Sequence, residues 1–152
     1  MRHLRHGRPR DVLRAALEAL EAQGLTIEAC AAARENAALG PSRRRYANAV
    51  ALVSTRLGPE NLLALLQHLE RDFGRRPGGQ RWAARVLDLD LVLWSGGAWT
   101  SPALTVPHPR FRERSFVLGP ARAVAPGWRD PLTGLTLRQL YARLTRPRPL
   151  PR

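Results

Sequence analysis

The run Val86-Leu87-Asp88-Leu89-Asp90-Leu91-Val92-Leu93 constrains this chain more than any other stretch. Its two-residue alternation is that of a strand: Leu87, Leu89, Leu91 and Leu93 share one face, Val86, Asp88, Asp90 and Val92 the other. The leucine face is ready to bury against helices. The opposite face carries two carboxylates pointing the same way, about 7 Å apart along the strand. Carboxylates so placed call for a compensating cation unless they face open water. A hard metal ion, the arginines of this chain, and plain solvent all satisfy that need. Magnesium takes oxygen ligands and is usually held by one or two carboxylates plus substrate phosphates. Arg81 and Arg85 lie just upstream, and guanidinium groups suit phosphate.

The rest of the chain supplies layers for that strand. Residues 1–10 read as loop; Val12, Leu13, Ala16, Leu17 and Leu20 then recur at helical spacing, with Asp11 as helix cap or first-turn acid and Gly24 as the stop. Residues 25–33 form a weakly alternating strand, residues 36–45 a surface loop with Gly40-Pro41 and Arg43-Arg44-Arg45, and residues 46–56 a second strand. On that strand Tyr46, Asn48, Val50 and Leu52 share a face. Gly58-Pro59 starts a second helix, with Leu62, Leu63, Leu65, Leu66, Leu69 and Phe73 as its buried side, ending at Gly74. Residues 75–80 are a loop, residues 99–105 a short extension, and residues 111–118 a turn or short helix interrupted by Pro120. Thr136 caps a last helix over residues 136–144. Helix, strand, strand, helix, strand is most of a ferredoxin-like order. The expected fold is therefore α+β: a ferredoxin-like sandwich, its antiparallel or mixed sheet covered by helices. The first, central strand is missing. The domain spans residues 1–145, with a basic, proline-rich tail at residues 146–152.

At 152 residues one domain with a two-layer core is expected. No run of 18 apolar residues occurs, which argues against a membrane span, and the basic opening lacks the apolar segment of a signal peptide. Cys30 is alone, which excludes an internal disulfide, fits a reducing, cytoplasmic setting and reads as a small buried residue. All 25 basic residues are arginine, a bias that weakens any reading of total charge. The formal charge of +13 still predicts attraction to polyanions, whether nucleic acid or nucleotides.

Several motifs in order now point one way. Leu69-Glu70-Arg71-Asp72-Phe73-Gly74-Arg75, then Arg81-Trp82-Ala83-Ala84-Arg85-Val86-Leu87-Asp88-Leu89-Asp90, then Val106-Pro107-His108-Pro109-Arg110-Phe111-Arg112-Glu113-Arg114-Ser115-Phe116 resemble the 6-hydroxymethyl-7,8-dihydropterin pyrophosphokinases of folate synthesis. The likeness runs from about Asp11 to Leu140. It implies transfer of pyrophosphate from ATP to the pterin hydroxymethyl group, with Asp88 and Asp90 holding two magnesium ions. It further implies that Arg75, Arg85, Asp88 and Asp90 are catalytic. Arg75, Arg81, Trp82, Arg85, His108 and Arg114 would contact ATP, Arg81 and Trp82 from a mobile loop. Tyr46 and Phe116 would stack the pterin beside Trp82, and Asn48 would read its polar edge. A flat heterocycle wants ring faces for contact and an amide for its donors and acceptors. The expected partners are pterin and ATP, the expected state a monomer.

The sequence departs from the pattern in three places. No hydrophobic strand and glycine-serine-asparagine turn can be written ahead of Asp11, so we expect a truncated version, poorly soluble and weakly active as it stands. Ala83-Ala84 replace the usual glycine-proline after the tryptophan, and Pro77 stands where an arginine is common. Two other readings compete. One is a basic nucleic-acid-binding domain, resting on Arg43-Arg44-Arg45 and Arg146-Pro147-Arg148, against which the paired aspartates count because they repel phosphates unless metal-loaded. The other is an inactive homologue that keeps only a packing role.

Overall fold

The computed structural model describes residues 9–33, 36–37, 45–74, 87–147 and 149–151, with the backbone alone for residues 36–37 and 45–46. The elements are α1 (Pro9–Ala22), β1 (Thr26–Ala32), β2 (Asn36–Ala37), β3 (Arg45–Tyr46), β4 (Ala49–Ser54), α2 (Pro59–Gly74), β5 (Trp99–Ser101), β6 (Leu104–Val106), a 3-10 turn (Phe111–Glu113), α3 (Ser115–Val124) and α4 (Leu137–Thr145). This is an α+β chain of small antiparallel sheets flanked by helices, as the patterning predicts.

Local signals explain most boundaries. α1 ends where Gly24 takes φ +92°, its N–H donating to Glu21 O (2.9 Å) while the Leu25 N–H donates to Leu20 O (3.2 Å). Only glycine enters that left-handed region cheaply, and the leucine pair across the turn joins the same core cluster. Gly58 O accepts the first helical bond of α2 from the Leu62 N–H (2.9 Å), with Pro59 in the first turn, where its missing N–H costs nothing. α4 carries the expected cap in full: the Gln139 N–H donates to Thr136 Oγ1 (3.1 Å) and the Thr136 N–H to Gln139 Oε1 (2.9 Å).

β1 pairs antiparallel with β4, Thr26 opposite Ser54 and Ala32 opposite Ala49, with a register shift between Ile27 and Ala29. This ribbon has helices on both sides. Ile27 and Val53 pack with Leu20, Leu25, Leu66 and Leu69 of the α1–α2 side. Val50 packs instead with Phe111, Leu118, Leu137 and Leu140 of the α3–α4 side. Adjacent faces of one strand thus feed two cores, as a period of two requires.

Six expectations need correction. Residues 87–93 belong to no strand ladder among the described residues, although their alternation survives: Leu87, Leu89 and Leu91 pack toward α1 and α2, while Asp88 and Asp90 are exposed. Alternation specifies a face; it cannot supply a neighbouring strand. Leu93 leaves the leucine face and packs with Val92 against the Phe111 cluster. The strand expected at residues 46–56 is split, because β3 pairs with β2 rather than with β1, and the 36–45 loop thereby gains a two-residue ladder at its ends. α3 runs through Pro120, since that ring is buried beside Leu118 and Ala121 and packing overrides propensity. Cys30 is exposed rather than buried; it lies on the outward face of β1, and partial desolvation pushes its thiol above the usual range. Helix α1 takes in Pro9 and Arg10, expected as loop, while Asp11 lies in its first turn as one of the two expected roles. The missing opening strand concerns residues 1–8, outside the described residues.

An apolar cleft of about 580 Å³ lies among α1, α2, β4 and residues 87–95, lined by Leu13, Leu17, Leu62, Leu89 and Leu91 among others. Open apolar space of this size attracts amphipathic aromatics. We therefore expect anilinonaphthalene sulfonate to gain fluorescence on the folded chain at pH 7, and Leu62→Gln to reduce that gain. An unchanged dye spectrum would show that the cleft is closed in solution. Among the described residues no helix is long and apolar enough to cross a membrane.

Candidate active site

Beside the cleft, and sharing a wall with it, is a second pocket of about 420 Å³. Asn48, Asp88, Asp90, Arg114 and Phe116, all singled out from the sequence, line it together. Asn48 sits between β3 and β4, its carbonyl taking the Ala33 N–H at 2.7 Å and so extending the ribbon by one bond. Asp88 and Asp90 arrive from residues 87–93, anchored from behind by their leucines. Arg114 is the N-cap residue of α3, and Phe116 lies in its first turn.

The segment from β6 to α3 closes the pocket. A cis bond joins Val106 to Pro107, and the His108 N–H donates to Val92 O at 3.0 Å, fixing the turn to the aspartate segment. The Arg110 N–H donates to His108 Nδ1 at 3.1 Å. The His108 Nε2 lies 3.9 Å from Asp90 Oδ2, too long for a hydrogen bond. The Arg114 guanidinium stands over the Phe116 ring at 5.7 Å, linking cation and aromatic plate.

Behind the pocket, the Arg112 guanidinium forks onto Asp130, Nε to Oδ2 at 2.5 Å and Nη2 to Oδ1 at 2.7 Å. Asp130 is fully buried and also accepts from the Leu132 N–H (3.0 Å) and the Thr133 hydroxyl (2.7 Å). The Arg112 bond, above all, draws its carboxyl down to about 2. Sequence reasoning missed this pair, and it missed Arg110, which lines the pocket. No local signal separates Arg110, Arg112 and Arg114 in the sequence; the partner of Arg112 lies 18 residues on.

Arg75, Arg81, Trp82 and Arg85 lie outside the described residues. Tyr46 ends β3, two residues before Asn48. Asp88 and Asp90 are the oxygen donors that could hold a hard cation; among the described residues no group of three or more His, Cys, Asp or Glu side chains gathers.

Against known proteins, residues 5–126 match the family model for 7,8-dihydro-6-hydroxymethylpterin-pyrophosphokinase. The chain belongs to this family. A pyrophosphokinase of Pseudomonas aeruginosa, 2-amino-4-hydroxy-6-hydroxymethyldihydropteridine pyrophosphokinase, is 38% identical over 125 residues, covering 81% of this chain and 76% of that protein. Its namesake from Synechocystis is 37% identical over 117 residues, 77% of this chain but 60% of the relative, so the chain spans less than two thirds of that protein's length. The mitochondrial folate synthesis bifunctional protein of Arabidopsis thaliana is 45% identical over 76 residues, half of this chain and 14% of that one. Every residue of the pocket falls within the stretch that matches the pyrophosphokinase family.

Proposed function

We propose that this chain transfers pyrophosphate from ATP to 6-hydroxymethyl-7,8-dihydropterin, giving AMP and the pterin diphosphate in folate biosynthesis. The observation that carries the reading is one pocket lined by Asp88, Asp90, Asn48, Arg114 and Phe116. Membership of the pyrophosphokinase family favours it. In the reaction the hydroxymethyl oxygen attacks the β-phosphorus of ATP. The bond from that phosphorus to the bridging oxygen breaks, AMP leaves, and the hydroxyl proton is lost.

Each residue has a task in this scheme. Asp88 and Asp90 would hold two magnesium ions; their hard oxygens suit that metal, and the remaining positions fall to phosphate and water. Bound there, the ions supply charge that offsets the triphosphate. Arg75, Arg85 and Arg114 grip phosphate, and Arg81 and Trp82 cover the nucleotide. His108, fixed in its turn beside Asp90, meets ATP. Phe116 and Tyr46 stack the pterin, with Trp82 beside them, and the Asn48 amide reads its edge. No pocket residue is a strong base, so positioning and electrostatics supply much of the rate, with metal coordination of the hydroxyl or nearby Asp90 sufficing for its proton. We place the enzyme in the cytoplasm as a monomer.

The test is AMP formation from ATP. Product is expected only when magnesium and the reduced hydroxymethylpterin are both present. A folded chain that binds neither ATP nor pterin would instead be an inactive homologue.

A further inference from the structure

We propose that Arg110 is a further phosphate-gripping residue of this pocket, contributing a cation that no sequence motif singled out. The inference rests on reading the pocket as a polyphosphate site. Arg110 lines the same pocket as the two aspartates, together with Arg114. The two arginines are differently committed. The Arg114 guanidinium stands over Phe116, at the aromatic end. The Arg110 guanidinium meets only Glu113 among the described residues, at 4.0 Å and with both side chains mostly exposed. Such a pair contributes little and is readily exchanged for a stronger partner.

Its backbone is not loose. The Arg110 N–H is spent on His108 Nδ1 at 3.1 Å, and the His108 N–H on Val92 O at 3.0 Å. A fixed main chain carrying a weakly paired guanidinium keeps that cation at the pocket for an incoming anion. Charge balance agrees. Without ligands, Arg110 and Arg114 offset Asp88 and Asp90. With divalent ions on the aspartates, the two guanidiniums carry positive charge that the exposed Glu113 offsets only in part and that a polyanion satisfies.

Arg110→Ala isolates the side chain, because the N–H to His108 remains. Binding of magnesium tripolyphosphate and of magnesium ATP is measured calorimetrically, alongside the KM for pterin. We expect both polyphosphates to bind about 10-fold more weakly, as for loss of a charge-assisted bond. The pterin KM should stay within about twofold, and Arg110→Lys should recover part of the loss. A change below about twofold in polyphosphate binding, or an equal loss for pterin, would overturn the assignment. The inorganic probe separates the two claims. If the parent chain makes no AMP yet Arg110→Ala still weakens tripolyphosphate, the reaction falls and the phosphate grip stands.

Discussion

Alanine in place of Asp88 or Asp90 lowers AMP formation at least about 100-fold, the scale of losing a main electrostatic contact to the transition state. Both side chains are exposed in the pocket, so neither substitution opens a core. Their anchoring leucines, Leu87 and Leu89, pack against α1 and α2 and are untouched. The variants should therefore melt within about 5 °C of the parent, since surface changes rarely exceed about 0.5 kcal/mol. Loss of rate with retention of fold is the diagnostic combination. Asp90→Asn keeps the shape and one neutral oxygen, and should raise the magnesium concentration needed for half-maximal rate. Turnover within tenfold of the parent in both alanine variants would end the metal assignment. Melting far below the parent would instead make the aspartates structural.

How much of this was legible depends on what each signal encodes. The caps of α4 and the glycine stop of α1 are local chemistry, readable in four or five residues. The faces of residues 87–91 were readable too, because a period of two assigns each side chain without knowledge of its neighbours. What escaped was everything set by distant parts of the chain. Whether residues 87–93 join a ladder depends on a strand elsewhere, and Tyr46 pairs with Asn36 instead of continuing into β4. Pro120 reads as a breaker until its ring is known to be buried inside α3. Arg110, Arg112 and Arg114 look alike in sequence, yet Arg110 and Arg114 line the pocket, Arg114 with its guanidinium over an aromatic ring, while Arg112 turns to a buried aspartate. The pocket itself was legible because its residues come from separate motifs that each carry chemistry.

Asp130 is where stability and the site meet, and its loss should have the largest effect on folding. The carboxylate is fully buried with three kinds of partner: the Arg112 guanidinium, the Leu132 N–H and the Thr133 hydroxyl. Arg112 lies between Arg110 and Arg114, so the pair pins the 3-10 turn from which both reach the pocket. Arg112→Ala leaves a buried charge uncompensated, which costs about 3–5 kcal/mol. In a chain this size that lowers the melting temperature by about 10 °C. Asp130→Ala should cost somewhat less, because the Arg112 guanidinium it strands is partly exposed and can hydrate. The double change Arg112→Leu with Asp130→Leu should lose less than the two single losses together, since neither charge is then orphaned. Acid tests the same pair without mutation. The folded carboxyl titrates at about 2, below its ordinary 3.8, so its stabilisation is complete above about pH 4 and fades as pH falls toward 2. A shift of that size is worth about 2 kcal/mol. Denaturant midpoints should thus fall between about pH 4 and pH 2 in the parent and much less in Asp130→Asn. Parallel acid profiles for the two proteins, or an Arg112→Ala variant that melts with the parent, would show that the buried fork does not hold the turn.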